Sequence, residues 1–420
     1  MAQYSGVLCH ITSLPSGDLR DAKKFIDTIA EAGVSIWQML PITPPDEHGS
    51  PYASPSAFAA DPALGQGPIA EMDDEEYWLN DWLLFQKIKE EQGGKPWTEW
   101  PIELRDRDPE ALSSIEIDSS NQAAFMGAWK EVQTYAKGRG ISLMGDLPIF
   151  VAHDSADVWA HRELFQLDGN GMPNVVAGVP PDYFSKDGQK WGTVLYEWDA
   201  HEAEGWQWWR MRMARMLRLF DMVRIDHFRG FHSAWAIPSG AKNARKGKWQ
   251  DGPKDALVKV LVEVAGNHEC IIAEDLGIIP SEVTELRKRH NLKGMSVLQF
   301  GFDDNNSDNP HRPANITHDR IVYTGTHDND TTASWWDSSP KSRIKKIKPH
   351  IRVGESICQT MIRLGLSSDA SMVIVPLQDI MELGNEARMN TPGIAHGNWK
   401  WRFEWQDLQP FSLVGEGSKS

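Results

Sequence analysis

The feature that most constrains this chain is a repeating unit. Eight short apolar or β-branched runs each close in polar residues or Gly/Pro, and helical patterns separate most of them. The runs cover residues 6–11, 35–42, 141–150, 222–230, 269–277, 294–300, 320–326 and 371–377, and the spacing predicts helices over 18–32, 125–137, 255–265, 281–290 and 347–364. Parallel neighbours need long crossover connections, usually helical, so eight such units predict a (β/α)₈ barrel. The other arrangement open to such units is a doubly wound sheet, but the first run leads into His10-Ile11-Thr12-Ser13-Leu14-Pro15 with no Gly-rich dinucleotide turn. Long excursions at about 43–124, 151–205 and 231–253 interrupt the repeat, the first with its own helical piece at 81–91. They are expected to decorate the C-terminal rim of one catalytic barrel spanning 1–420 rather than to form separate domains.

Barrel chemistry gathers at the C-terminal ends of the strands, and polar residues collect there. The runs end in Asp146, in Arg224-Ile225-Asp226-His227, in Glu274-Asp275, in Thr326-His327-Asp328 and in Gln378-Asp379. Alternation puts Arg224 and Asp226 on one side of their strand with Ile225 on the other, and a neighbouring guanidinium keeps such an Asp ionised. Retaining cleavage of a glycosidic bond needs an ionised nucleophile and a protonated acid about 5 to 5.5 Å apart. Adjacent strands lie roughly 4.7–4.9 Å apart, so Asp226 and Glu274, ending consecutive runs, meet that requirement.

Composition narrows the partners. A net charge of −16 repels phosphate backbones, so nucleic acid is not an expected partner. No run reaches membrane-spanning length, and the N-terminal residues show no secretory pattern. Cys9, Cys270 and Cys358 are odd in number and far apart, which predicts reduced thiols and a cytoplasmic location. Nineteen Trp against seven Tyr is unusual. Indoles fill large cores, and they also stack on the apolar faces of sugar rings.

Taken together, these segments resemble the amylomaltase or disproportionating-enzyme group, the 4-α-glucanotransferases of the α-amylase clan. The resemblance rests on SPYASPSAF at 50–58, GDLPIFVA at 145–152, PPDYF at 180–184 with GQKWG at 188–192, RIDHFRG at 224–230, AEDLG at 273–277, TGTHDNDT at 324–331 and NWKWR at 398–402. It runs from about residue 6 to 403, nearly the whole chain. It implies transfer of α-1,4-glucan segments between donor and acceptor maltooligosaccharides, in starch, glycogen or maltose metabolism, by a monomer or homodimer that needs no metal or organic cofactor. Carried over, it implies Asp226 as nucleophile, Glu274 as general acid and base, and Asp328 as the group that holds ring hydroxyls and stabilises the transition state. Arg224 would orient and ionise Asp226, while His227 and His327 would bind hydroxyls beside the scissile bond. Tyr52 would stack on the glucose at the cut, Asp146 would hold its far hydroxyls, and Asp182 and Trp191 would sit in a loop over the donor chain.

Two departures bear on selectivity. Ala234 stands where relatives commonly show Tyr, and the stretch after Phe58 reaches Asp81-Trp82 far sooner than in typical members, which predicts a shortened rim subdomain. Other readings fit parts of the pattern. A hydrolase of the same clan shares the carboxylates, and a non-catalytic glucan-binding protein would keep the indoles. An enolase-type magnesium triad of Asp146, Asp226 and Glu274 meets the strand-end Arg224 as an obstacle, and a metal-dependent amidohydrolase would need a second His on the first strand.

Overall fold

The computed structural model describes residues 4–181 and 186–414, so Asp182 lies outside the described residues. Twelve strands are present among these: β1 Tyr4–Leu8, β2 Ile36–Gln38, β3 Ser142–Leu147, β4 Val175–Val179, β5 Gln189–Val194, β6 Met222–Ile225, β7 Ser233–Pro238, β8 Lys248–Asp251, β9 Ile271–Ala273, β10 Gly294–Val297, β11 Arg320–Tyr323 and β12 Met372–Pro376. Eight of them form one parallel sheet in the order β10-β11-β12-β1-β2-β3-β6-β9. Its two ends meet through a bridge between Ile272 and Lys293, and the Ala273 N–H donates to the Lys293 carbonyl at 2.8 Å. The eight predicted runs are thus the eight staves of a nearly closed barrel.

Alternation divides each stave between two cores. Leu8, Ile36, Met144, Ile272, Met295, Ile321, Met372 and Ile374 pack together inside the barrel, while Val7, Trp37, Leu143, Val223, Ile271, Val322 and Val373 pack outward with the helices. Burial on both faces is why the runs read as continuous apolar stretches. Gly6 shows how tight the interior is, since a Cβ there would sit 2.3 Å from the Ile374 Cδ1 atom. Of the 19 Trp, eleven are buried, so core filling explains most of them and leaves a minority for the rim.

The helices largely follow the periodicity, with two corrections. The helix predicted over 347–364 is two helices, Lys341–Ile347 and Ile357–Leu366, because Pro349 and the left-handed Gly354 break the chain and Ser356 opens a new capping box with Gln359. The helix Gln207–Leu219 escapes the pattern because its buried face includes Arg212 and Arg215. Arg215 forms a buried ion pair with Glu75 at 2.7 Å, and the Arg212 guanidinium lies 5.2 Å from both the Trp208 and Trp209 ring centroids and donates to the Ile149 carbonyl.

The excursions are less independent of one another than the sequence suggests. Strands from 151–205 and from 231–253 lie side by side in one antiparallel sheet, β5-β4-β7-β8, joined where β4 pairs with β7. Its inner face, through Ala177, Ala234 and Ala236, joins the main core. Ala234 is buried there, at 5% exposure.

Candidate active site

The mouth of the barrel is built from register. Asp146 on β3 is the direct partner of Arg224 on β6, and Ile225 pairs with Ala273 on β9, so Asp226 and Glu274 rise side by side from neighbouring staves. Arg224 is the hub. Its Nη1 donates to both Asp146 oxygens at 2.7 and 2.6 Å, and its Nη2 lies 2.9 Å from Asp226 Oδ1. Burial works against the guanidinium charge, but Asp146 and Asp226 outweigh it and raise the pKa further. The Tyr52 hydroxyl donates to Asp146 at 2.7 Å. Asp146 is therefore satisfied from both sides, while one flank of Asp226 stays open to the mouth with its side chain 29% exposed.

Glu274 is placed differently. Its oxygens accept from two backbone donors, the His227 N–H at 2.7 Å and the Leu276 N–H at 2.9 Å, and among the described residues it forms no ion pair. Burial, reinforced by the Asp226 charge, pushes its carboxyl up to about 8, against the opposing pull of Arg224 and the two N–H groups. The His227 N–H can reach it because His227 adopts a left-handed backbone with φ of 49°, a strained choice for a non-glycine residue. The two neighbouring carboxyls thus differ in surroundings, one paired with Arg224 and the other buried with its pKa raised.

Loops complete the ring. After β11, the Thr326 and Asn329 side chains bond to each other at 2.8 Å, and this turn presents His327 and Asp328. His327 stacks on the Tyr52 ring at 5.2 Å and sits 3.4 Å from Asp328. The Tyr52 loop is pinned from below, by Ala57 N–H to Asp157 at 2.8 Å, by Arg215 to the Phe58 carbonyl and by Gln122 to Ala60. Trp191 on β5 stands edge-on to the His227 ring at 4.9 Å and is 38% exposed. Burial lowers His227 to about 4, so it is a neutral donor or acceptor. The structure brings together Tyr52, Asp146, Arg224, Asp226, His227, Glu274, His327, Asp328 and Trp191; only Asp182 lies outside the described residues.

Not every strand-end acid belongs to the site. Asp275 turns outward to Arg287 and Arg320 at 3.2 and 3.1 Å, and Asp379 is buried accepting from the Thr332 N–H and hydroxyl, both at 2.7 Å. In the other direction, Asn390 was not singled out by the sequence. Its amide donates to Asp328 at 2.6 Å, its N–H bonds the His327 carbonyl, and Arg388 holds the Asp328 carbonyl at 2.7 Å. Its only signal is a polar residue after Met389 in an irregular stretch. Trp399, in the NWKWR segment, tilts over Tyr52 at 5.7 Å. Among the described residues no three His, Cys, Asp or Glu side chains are grouped to hold a metal, and the cation between Asp146 and Asp226 is Arg224.

Comparison with known proteins meets this geometry. The family model for 4-alpha-glucanotransferases matches residues 9–66 and 70–408. The chain belongs to the 4-alpha-glucanotransferase family. A 4-alpha-glucanotransferase from Thermus thermophilus is 39% identical over 96% of this chain and 95% of its own length, and one from Synechocystis sp. is 40% identical over 96% and 94%. An amylomaltase from Streptococcus agalactiae, solved in complex with acarbose, superposes with a TM-score of 0.91 at 32% identity, covering 97% of this chain and 96% of its own. This family member is accordingly an enzyme, a 4-alpha-glucanotransferase on a (β/α)₈ barrel. None of its described helices is long and apolar enough to cross a membrane.

Proposed function

We propose that this 4-alpha-glucanotransferase moves α-1,4-glucan segments between maltooligosaccharides by double displacement with retention. Asp226 attacks the anomeric carbon as Glu274 gives its proton to the departing 4-oxygen, so a carbon–oxygen bond forms on Asp226 as the glycosidic bond breaks. Glu274, now a carboxylate, takes the proton from the 4-hydroxyl of an incoming glucan, which displaces Asp226 and restores the starting enzyme. The observation that carries this reading is the unequal pair: Asp226 against Arg224 at 2.9 Å and a buried Glu274 raised to about 8.

The remaining roles follow position. Arg224 orients Asp226, and Asp146 with Asp328 receives the hydroxyls of the glucose at the cut while Tyr52 stacks on it. His327 and His227 bond hydroxyls beside the scissile bond, and Trp191, with the Asp182 loop, covers the donor. Water entering in place of a sugar hydroxyl would give hydrolysis, so the rim indoles favour transfer by excluding it. No metal or organic cofactor takes part in these steps. The unpaired Cys9, Cys270 and Cys358 support work in a reducing cytoplasm, and the acidic chain is read as a monomer or homodimer without nucleic-acid partners.

A shortened rim subdomain is part of the same proposal. The Thermus alignment spans 479 positions, more than the 420 residues of this chain, and the family match breaks between residues 66 and 70. There the backbone crosses directly over the helix Ser120–Gly138, so closely that a Cβ on Gly127 would meet the Pro68 carbonyl oxygen at 1.6 Å. Incubation with maltotriose in EDTA tests the function: glucose together with a ladder of longer maltooligosaccharides is the expected product set. Maltose and glucose without longer chains would replace transfer by hydrolysis.

A further inference from the structure

The outer face of the antiparallel sheet carries an aromatic pair that the chemistry above leaves unused. Register places Gly178, Trp235 and Trp249 in one row across β4, β7 and β8. Trp249 is 41% exposed, with the Trp235 ring edge-on at 5.1 Å. Over the same indole lies the Arg229 guanidinium, 3.8 Å from the ring centroid. Arg229 donates one N–H to the Ile278 carbonyl, while its buried Nε has no hydrogen-bond partner among the described residues. Burial lowers the pKa of this arginine.

Its place in the chain ties this platform to the mouth. Arg229 follows Asp226 by three residues, and Ile278 follows Glu274 by four, so the platform flanks the mouth on the Glu274 side. Tyr52, Asp146 and Asp328 occupy the other side. Glu274 is the group that meets the departing oxygen, so the part of a glucan beyond the scissile bond leaves, and an acceptor arrives, over the Glu274 flank.

We propose that Trp249 and Arg229 form a remote subsite for the acceptor-side arm of an α-1,4-glucan, an inference that rests on the roles given to Asp226 and Glu274. A pyranose presents a C–H face that suits an exposed indole, and its vicinal hydroxyls match the parallel N–H donors of a guanidinium that no carboxylate occupies. Long chains reach the platform; a trisaccharide engaged at the catalytic carboxylates reaches it little. The subsite therefore selects for chain length rather than for bond type.

Trp249→Ala tests this through a ratio. The kcat/KM on amylose divided by that on maltotriose should fall roughly five- to tenfold, the size of one lost stacking contact, and Trp249→Tyr, which keeps a stacking face, should recover most of it. An unchanged ratio, or an equal loss on both substrates, would overturn the subsite and leave Trp249 as a prop for the sheet. Amylose retardation in native gels should be weakened by Trp249→Ala in an Asp226→Asn background. That readout is independent of turnover, so an active Asp226→Asn protein would defeat the catalytic assignment while the retardation still reported on Trp249.

Discussion

The barrel mouth has two halves built on different principles. Asp146, Arg224, Asp226 and Glu274 stand on or immediately beyond β3, β6 and β9, where parallel register sets their spacing. Tyr52, Trp191, His327, Asp328 and Trp399 hang on excursions or turns, and stay in place through side-chain props such as Asn390 on Asp328 and Asp157 on the Tyr52 loop. The first half is stiff because the whole barrel supports it, and it suits bond making and breaking. The second can be altered without disturbing the staves, and it suits selection of chain length and exclusion of water.

Changes in the strand-borne half should have the largest effects. Asp226→Asn is isosteric, and should cost on the order of 10⁴-fold or more in kcat while the melting temperature stays close to that of the parent. Glu274→Gln should lose roughly 10²- to 10⁴-fold on maltooligosaccharides, yet largely spare the first step on α-glucosyl fluoride, whose leaving group needs no proton. The parent's activity should fall as pH rises through about 8, where Glu274 gives up its proton, and the variant should lack that limb. Stability follows the same group. Its folded pKa is raised, so its contribution is complete below the ordinary value of 4.5, and is lost as pH rises through about 8. Melting curves of Glu274→Gln should therefore be flatter across that window.

Arg224→Ala sharpens the comparison by striking the hub. It leaves Asp146 buried without its cation, so a loss of roughly 3–5 kcal/mol of stability should accompany the loss of activity, measurable by urea denaturation. In the loop-borne half, Asn390→Ala removes a prop without removing a carboxylate. It should lower kcat by about tenfold with KM little changed and the fold intact; a pure stability loss would make Asn390 structural only. Trp191→Ala should have the smallest effect on turnover, a change of roughly two- to fivefold. It should appear as a higher share of hydrolysis among the products, and an unaltered product ratio would remove Trp191 from water exclusion.

The same division explains what could be read before the structure. The staves and most barrel helices were legible because both faces of every strand are apolar and the strand ends are punctuated by polar residues. Asp226 and Glu274 were legible because register follows from strand order. The helix Gln207–Leu219 was hidden because Arg212 and Arg215 interrupt its apolar stripe, and their hydrogen-bond partners are distant in sequence. The antiparallel sheet was hidden because its four strands come from two excursions, and pairing between distant segments leaves no local periodicity. Asp275 and Asp379 show the opposite failure: strand-end acids look alike in sequence, and only the neighbours, Arg287 and Arg320 for one and Thr324 and Thr332 for the other, separate structural acids from those at the mouth. Asn390 has no pattern of its own and becomes meaningful only beside Asp328.

Asp226 is proposed to carry the glucosyl group between donor and acceptor. The most direct measurement incubates Glu274→Gln with α-glucosyl fluoride, digests the protein and weighs its peptides. The peptide containing Asp226, and no other, should gain the mass of one glucosyl unit, because the first step proceeds while the second lacks its base. A glucosyl group on a different peptide, or release of sugar with no labelled peptide at any time, would contradict it.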